Sequence, residues 1–197
     1  MRIVGGAWRG RRFAAPAGRA TRPTSDRVRE AIFDVLGAMA LAARTDPGSP
    51  GHAALDGAAV LDLFAGSGAL GLEALSRGAA SCAFVERAPA ALRVLRANLT
   101  TFEVGAAGAR VSATDYRRAL KADAARARLY TLVLIDAPYA LYPAVELELA
   151  GRLPDVLESG AVVVVETSRD QAVDLPLLER VVKLYGDTRV TFLQARF

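Results

Sequence analysis

The fold is decided between residues 61 and 71, which read LDLFAGSGALG. An apolar strand there runs into a glycine-rich turn, and the turn opens a helix. Gly66, Gly68 and Gly71 form the pattern G-x-G-x-x-G, and Glu86 follows 20 residues after Gly66. Glycines permit a tight turn and close approach of a ligand, while a carboxylate at the tip of the second strand can accept hydrogen bonds from ribose hydroxyls. The stretch predicts a nucleoside-type cofactor site, with a purely structural turn as the alternative.

Short apolar runs and helical stretches alternate along the rest of the chain. Strands are predicted at residues 60–64, 83–85, 110–112, 132–135 and 162–165, and helices at about 69–77, 88–100, 115–126 and 143–157. Continuous apolar runs are typical of strands buried on both faces of a parallel sheet. The last two strands, 181–185 and 189–195, are separated only by residues 186–188, which favours a hairpin. We predict an α/β fold: a doubly wound, mostly parallel sheet with an antiparallel final strand.

The composition excludes several classes of protein. With 52% hydrophobic and 23% charged residues, the chain can bury a core. Its single cysteine, Cys82, cannot form an intramolecular disulfide, and its single histidine, His52, cannot build a multi-histidine metal site, so no metal is expected. No apolar run is long enough to span a membrane, and the arginine-rich N-terminus has no signal-peptide core. We expect a cytoplasmic protein.

Positive charge is concentrated at the N-terminus. Residues 1–30 hold eight arginines against two acidic residues, whereas the rest of the chain holds 17 basic and 19 acidic residues. Such a cluster favours a surface that faces nucleic acid, and a merely solvated arm is the alternative.

The N-terminal region is predicted to form a small extension. Two short strands around a glycine turn are expected at residues 2–13, and a helix capped by Thr24, Ser25 or Asp26 follows. The apolar face of this helix comprises Val28, Ile32, Val35, Leu36 and Met39. Residues 46–51 hold two prolines and two glycines and mark the best boundary. We therefore predict a basic extension at residues 1–45 and an α/β domain at residues 56–197.

The charge around the glycine turn bears on which cofactor binds there. Asp62 at the end of the strand is unfavourable beside a pyrophosphate, which argues against a dinucleotide. S-adenosylmethionine carries a sulfonium and an amino group and no phosphate, so an acidic, glycine-rich pocket suits it. Asp115, in the loop after residues 110–112, is placed to bind an adenine amine or, equally, to cap a helix.

A second motif, residues 132–139, reads LVLIDAPY. A buried strand delivers Asp136, Ala137, Pro138 and Tyr139 to the carboxyl edge of the sheet, where open α/β folds bind ligands. The Asp136 carboxylate and the Ala137 carbonyl are suited to accept from a flat amine, and Tyr139 to stack on a base, a contact worth about 1–3 kcal/mol. The alternative is a strand-ending aspartate and a core tyrosine.

Three stretches together resemble the bacterial 16S rRNA guanine-N2 methyltransferases, the RsmD family. They are residues 62–79, residues 22–33 (RPTSDRVREAIF) and residues 185–188 (YGDT). The resemblance implies a seven-stranded, Rossmann-like class I methyltransferase that uses S-adenosylmethionine and grips RNA with a small N-terminal hairpin and helix. The family usually has proline where this chain has Ala137, which keeps the carbonyl acceptor but removes one backbone restraint.

The resemblance implies that residues 64–68 line the cofactor, that Glu86 holds its ribose, and that residues 136–139 hold the target guanine. The full sets of candidates add the residues that charge and position indicate. The candidate cofactor residues are Asp62, Phe64, Ala65, Gly66, Ser67, Gly68, Glu86, Arg87, Asp115 and Tyr116. The candidate RNA contacts are Arg9, Arg11, Arg12, Arg22, Thr24 and Arg27.

The expected partner is 16S rRNA, within the small subunit or an assembly intermediate. Which nucleotide is modified, and whether the RNA is free or assembled, stay open. The competing hypotheses are methylation of another flat amine (adenine N6 or a glutamine amide), a non-catalytic RNA-binding assembly factor, and a dinucleotide oxidoreductase.

Overall fold

The computed structural model describes residues 1–15, 25–45 and 55–196. Two of the predicted RNA contacts, Arg22 and Thr24, lie outside this part of the chain, and so does the predicted boundary at residues 46–51.

Seven strands form one sheet in the order β3-β2-β1-β4-β5-β7-β6. The strands are β1 (Ala59–Leu63), β2 (Ser81–Glu86), β3 (Ala109–Ala113), β4 (Tyr130–Ile135), β5 (Leu157–Ser168), β6 (Leu178–Tyr185) and β7 (Thr188–Gln194). Strands β1 to β5 pair in parallel, and β7 lies antiparallel between β5 and β6. The predicted fold class is confirmed, and the predicted hairpin turn is shorter by one residue because Thr188 already belongs to β7.

Five α-helices cover the described sheet. They are α1 (Asp26–Thr45), α2 (Ala69–Ser76), α3 (Pro89–Thr101), α4 (Tyr116–Ala124) and α5 (Tyr142–Ala150). The helix predicted at 143–157 is wrong at its end, because Gly151 follows the last turn and Pro154 opens a separate 3₁₀ turn before β5. Of the candidate caps within the described residues, Ser25 accepts from the Val28 N–H at 3.2 Å, so it is the side chain that caps α1.

The two faces of the sheet bury separate apolar clusters. One contains Phe84 and Phe192 and continues into α1 through Leu36, while the other contains Leu61 and Tyr142 under α4 and α5. Alternation along each central strand produces this division, since neighbouring side chains point to opposite faces.

The N-terminal segment packs onto the first of these faces. Within residues 1–15, a single antiparallel bridge, Arg2 with Arg12, forms around a 3₁₀ turn at Gly6–Trp8, so the predicted pair of strands is wrong in extent. Glycines at both sides of the turn weaken strand formation. Ile3 is fully buried, and the segment thereby contributes to the same core as α1 and α2.

A buried ion pair fixes the segment to α2. The Glu73 carboxylate accepts from the backbone N–H groups of Val4 at 2.9 Å and Gly5 at 2.7 Å. Arg29, also fully buried, lies with its Nε 3.4 Å from the same carboxylate. Because each buried charge has partners, the pair holds the N-terminal chain in one position.

Candidate functional site

The candidate site lies where the order of the strands reverses, between β1 and β4. Leu63 pairs with Ile135, so the glycine turn after β1 and residues 136–139 after β4 leave the sheet side by side. Ligands of open α/β folds bind in the crevice at this kind of switch point. The structure thus brings the two predicted motifs together at one edge.

The glycine turn depends on left-handed backbone. Gly66 and Gly68 have φ angles of 55° and 82°, and Phe64 has φ 63°, a conformation that non-glycine residues rarely adopt. The Phe64 ring packs against Tyr116, with ring centroids 5.0 Å apart, and this contact helps to hold the strained residue.

The second and third glycines are required by close packing. A Cβ on Gly68 would lie 2.5 Å from the Leu95 side chain, and one on Gly71 would lie 2.3 Å from the Phe84 ring. Both contacts are shorter than real Cβ atoms make, so the start of α2 approaches its neighbours only because these positions are glycine.

The Glu86 carboxylate lies against the glycine turn. One of its oxygens accepts from the Gly66 N–H at 2.9 Å, and the other accepts from the N–H groups of Arg87 and Ala88, both at 2.7 Å. The end of β2 and the turn after β1 are therefore joined through one partly exposed carboxylate.

Asp62 lies beneath the turn rather than at its surface. Its side chain is almost wholly buried and accepts from the Gly71 N–H at 2.9 Å. The pKa of this carboxyl is raised to about 7, mainly by burial; the Gly71 hydrogen bond opposes the shift, and the nearby Glu86 charge adds to it.

Asp115 forms the N-cap of α4, one of the two roles predicted for it. Its Oδ1 accepts from the Arg117 N–H at 3.0 Å, and its Oδ2 lies 3.6 Å from the Arg87 guanidinium. The predicted cofactor residues Arg87, Asp115 and Tyr116 thus lie together at the ends of β2 and β3.

In the second motif, Tyr139 is held by its hydroxyl. The Tyr139 Oη donates to the Glu166 carboxylate at 3.1 Å and lies 3.1 Å from the Thr188 hydroxyl. Burial raises the pKa of Tyr139 to about 12. Ala137 is buried, whereas Asp136 remains partly exposed. The ring position is therefore fixed by side chains from β5 and β7.

Glu166 and Thr188 were not identified from the sequence. Both are more than nine-tenths buried, and they lie on the neighbouring strands β5 and β7 near the carboxyl edge, where Glu166 pairs with Val190 and Thr188 pairs with Ser168. For Glu166 the available signal was a carboxylate directly after the apolar run 162–165, a position at which a buried charge is unusual.

The predicted RNA contacts within the described residues lie in the N-terminal segment and in α1, and they are exposed. Arg9, Arg12 and Arg27 are solvent-exposed, and Arg11 lies over the Phe102 ring at 4.6 Å while donating to the Thr101 carbonyl.

One buried amide connects the N-terminal segment to the glycine turn. The Asn98 Oδ1 accepts from the Ala14 N–H at 2.9 Å, and its Nδ2 donates to the Ala14 carbonyl at 3.0 Å and the Ser67 carbonyl at 2.9 Å. Asn98 therefore bridges the basic segment and the turn.

The described residues contain no group of three or more histidine, cysteine, aspartate or glutamate side chains arranged to hold a metal ion. Within the same residues, no helix combines the length and the apolar character needed to cross a membrane.

Comparisons with known proteins agree with this geometry. The family model described as Conserved hypothetical protein 95 matches residues 1–194. The Escherichia coli ribosomal RNA small subunit methyltransferase D is 38% identical over 139 residues, which are 71% of this chain and 60% of that protein. A hypothetical protein from Thermus thermophilus is 31% identical, with a TM-score of 0.78 over 100% of this chain and 99% of the other.

A more distant structure shares the fold. A Thermus thermophilus 16S rRNA N2 G1207 methyltransferase, solved with S-adenosylmethionine and guanosine, is 21% identical, with a TM-score of 0.62 over 91% of this chain and 44% of that one.

Proposed function

The chain belongs to the family described as Conserved hypothetical protein 95, and from this premise we propose that it methylates the exocyclic N2 of a guanine in 16S rRNA. The resemblance to the RsmD family is confirmed, and so is the Rossmann-like methyltransferase fold, which supports S-adenosylmethionine as the methyl donor. The chain is an S-adenosylmethionine-dependent rRNA methyltransferase. The assignment of roles to individual residues is our proposal.

The residues around the glycine turn fit the cofactor. A Cβ added at Gly66 would have only the Phe64 carbonyl oxygen within 4 Å, at 3.9 Å, so a ligand can approach the backbone closely. The Glu86 carboxylate provides acceptors for ribose hydroxyls beside that backbone. S-adenosylmethionine contains no phosphate for Asp62 and Glu86 to repel, and it supplies an electrophilic methyl group on a sulfonium. We assign the turn, Glu86 and the cluster of Arg87, Asp115 and Tyr116 to cofactor binding. Asp62 supports the turn from the protein interior by accepting the hydrogen bond of the Gly71 N–H.

The residues after β4 are proposed to hold the guanine. Its exocyclic amine is a poor nucleophile because the nitrogen lone pair is delocalised into the ring. Hydrogen bonds from the amine to the Asp136 carboxylate and the Ala137 carbonyl direct that lone pair towards the methyl group, and Asp136 takes the proton that the amine loses. The Tyr139 ring, fixed through Glu166, forms a rigid stacking surface for the base.

A single structural observation carries this proposal. The pairing of Leu63 with Ile135 sets the cofactor turn and the amine-binding residues next to each other, so donor and acceptor meet without a covalent intermediate. Holding the two reactants in this orientation, away from water, supplies most of the rate acceleration.

The proposal is tested by removing the acceptor charge. We expect Asp136→Asn to lower methylation of 16S rRNA by at least about 100-fold, while the dissociation constant for S-adenosylmethionine changes by less than about threefold, since the residue lies outside the cofactor turn. Asp155→Asn is the matched control, because Asp155 is exposed in the turn before β5. Mass spectrometry of the RNA locates the methyl group. Retention of the wild-type rate, or a methyl group on another atom, contradicts the proposed roles.

The proposal also concerns whether the RNA substrate is free or assembled with ribosomal proteins. We propose that the enzyme acts in the cytoplasm on 16S rRNA within the small subunit or an assembly intermediate. Methylation of unmodified naked 16S rRNA is compared with methylation of small subunits reconstituted from the same RNA. A faster reaction on the reconstituted particle supports this part, and an equal or faster reaction on naked RNA contradicts it.

A further inference from the structure

Strand β3, at one edge of the sheet, and helix α4 enclose a groove of about 400 Å³ with four arginines in its lining: Arg110, Arg118, Arg126 and Arg128. Resting on the proposed function, we propose that this groove binds the phosphodiester backbone of the RNA substrate, as a second RNA-binding surface distinct from the N-terminal arginines.

A buried carboxylate holds two of the arginines in place. Asp123 is almost wholly buried and accepts from Arg110 at 2.7 Å and from Arg128 at 3.0 Å. Tyr130 donates to the same carboxylate at 2.7 Å. Arg110 and Arg128 still expose 34% and 44% of their side chains. They are therefore pre-oriented donors whose guanidinium groups remain accessible to a ligand.

The groove keeps a positive charge after this pairing. Four guanidinium groups face one carboxylate, which leaves a net charge of about +3 in a confined space. Arg118 and Arg126 are exposed and form no ion pair with Asp123. Arginines that converge in this way favour an anion, and their planar forks match phosphate oxygens.

The spacing of the charges fits a chain of phosphates. Arg118 lies in the first turn of α4 and Arg126 just past its end. The nine residues of α4 make a helix about 13 Å long. A single phosphate is too small to contact both ends of such a helix, whereas consecutive phosphates of one strand are able to.

The groove also lies in a suitable place relative to the candidate site. Thr114, at its rim, comes directly before Asp115 and follows Ala113, which pairs with Glu86. One end of the groove, with Thr114 and Arg118, thus lies at the carboxyl edge, and the groove runs along α4 to Arg126 and Arg128, which precede the start of β4. It lies on the face covered by α4, whereas the N-terminal segment packs on the opposite face. An RNA whose target base enters at this edge has backbone on both sides of it.

The test removes the two arginines that do not pair with Asp123. The double variant Arg118→Gln/Arg126→Gln is compared with Arg180→Gln/Lys183→Gln, an equal loss of exposed charge on β6 at the opposite edge of the sheet. The binding of a labelled 16S rRNA transcript is measured between 50 and 300 mM salt. We expect the groove variant to bind about 10-fold more weakly at the lower salt concentrations, and its salt slope to fall by about 1.4 to 1.8, because each lost phosphate contact removes about 0.7 to 0.9.

Several outcomes overturn the proposal. An RNA-binding surface in the groove is contradicted if the two double variants give the same salt slope. It is also contradicted if the wild-type protein binds the transcript without salt dependence. Displacement of the transcript by 1 mM inorganic phosphate from the wild-type protein identifies a small-anion site instead. Weaker binding of S-adenosylmethionine by the groove variant shows that it acts through the cofactor turn. If the groove variant shows the expected change of slope but the wild-type protein does not methylate the RNA, the proposed function is contradicted and the RNA-binding groove is not.

Discussion

The two halves of the candidate site are fixed by different means. The glycine turn is held by backbone geometry and local hydrogen bonds, through Gly68, Gly71 and the carboxylates of Asp62 and Glu86. Tyr139, in the other half, is held by side chains from strands that are distant in sequence. A cofactor that many enzymes share can be bound by a local motif, whereas the surface for one particular base depends on contacts assembled by the whole sheet.

The largest effect on stability is expected from Gly68→Ala, which changes the glycine turn itself. The new Cβ would lie 2.5 Å from Leu95, at a position with φ 82°. Strain and overpacking together destabilise the fold by about 2–4 kcal/mol, and the distorted turn should lower affinity for S-adenosylmethionine at least about 10-fold, equal to about 1.4 kcal/mol. Calorimetric titration and urea unfolding measure both. In the control Gly105→Ala, the added Cβ meets no atom within 4 Å, and wild-type affinity is expected. A normal affinity in Gly68→Ala contradicts the requirement for glycine.

Asp62→Asn tests the carboxylate beneath the turn through the pH dependence of stability. The folded-state pKa near 7 lies above the ordinary value of 3.8, so the folded protein binds more protons than the unfolded chain between about pH 4 and 7. Asp62 therefore makes the free energy of unfolding fall as the pH rises through this window, by up to about 1.4 kcal/mol per pH unit. The variant should lose this contribution. Urea midpoints at pH 5 and pH 7.5 measure it, with Asp56→Asn, an exposed position, as control. Parallel pH profiles for the variant and the wild type would show that Asp62 does not titrate in this range.

Tyr139→Phe tests the half held by distant side chains. Removing the hydroxyl takes a hydrogen-bond partner from the buried Glu166 and Thr188, which costs about 1–3 kcal/mol of stability. With the ring less fixed, the methylation rate at saturating substrates should fall by about 10-fold, while affinity for S-adenosylmethionine stays unchanged. Tyr142→Phe is the matched control, because it also removes a hydrogen bond of 3.1 Å to a glutamate, on α5. Equal losses of rate in the two variants would contradict a specific role for the Tyr139 hydroxyl.

The same contrast explains what the sequence predicted and what it did not. The glycine spacing and Glu86 sufficed for the turn, because each acts within one strand–turn–helix unit. Glu166 was missed because its partner Tyr139 is 27 residues away and no periodicity connects them. The predicted helix at 143–157 ran too long because its apolar pattern continues past Gly151, although Gly151 ends α5 and Pro154 opens a separate 3₁₀ turn before β5. These local helix breakers, not the apolar pattern, set that boundary.

The smallest effect on ligand binding is expected at Asn98, which connects the glycine turn to the basic N-terminal segment. Its Nδ2 donates to the Ser67 and Ala14 carbonyls, and its Oδ1 accepts from the Ala14 N–H. Asn98→Asp keeps the acceptor but loses both donated hydrogen bonds. Because Asn98 connects the two regions, we expect RNA to tighten S-adenosylmethionine binding in the wild type by about 5-fold, or about 1 kcal/mol. We expect the variant to lose this coupling. Titrations with and without RNA measure the coupling in both proteins. If Asn98 has only a structural role, the variant binds both RNA and S-adenosylmethionine more weakly, but RNA still tightens cofactor binding by the same factor. That result would contradict a coupling role for Asn98.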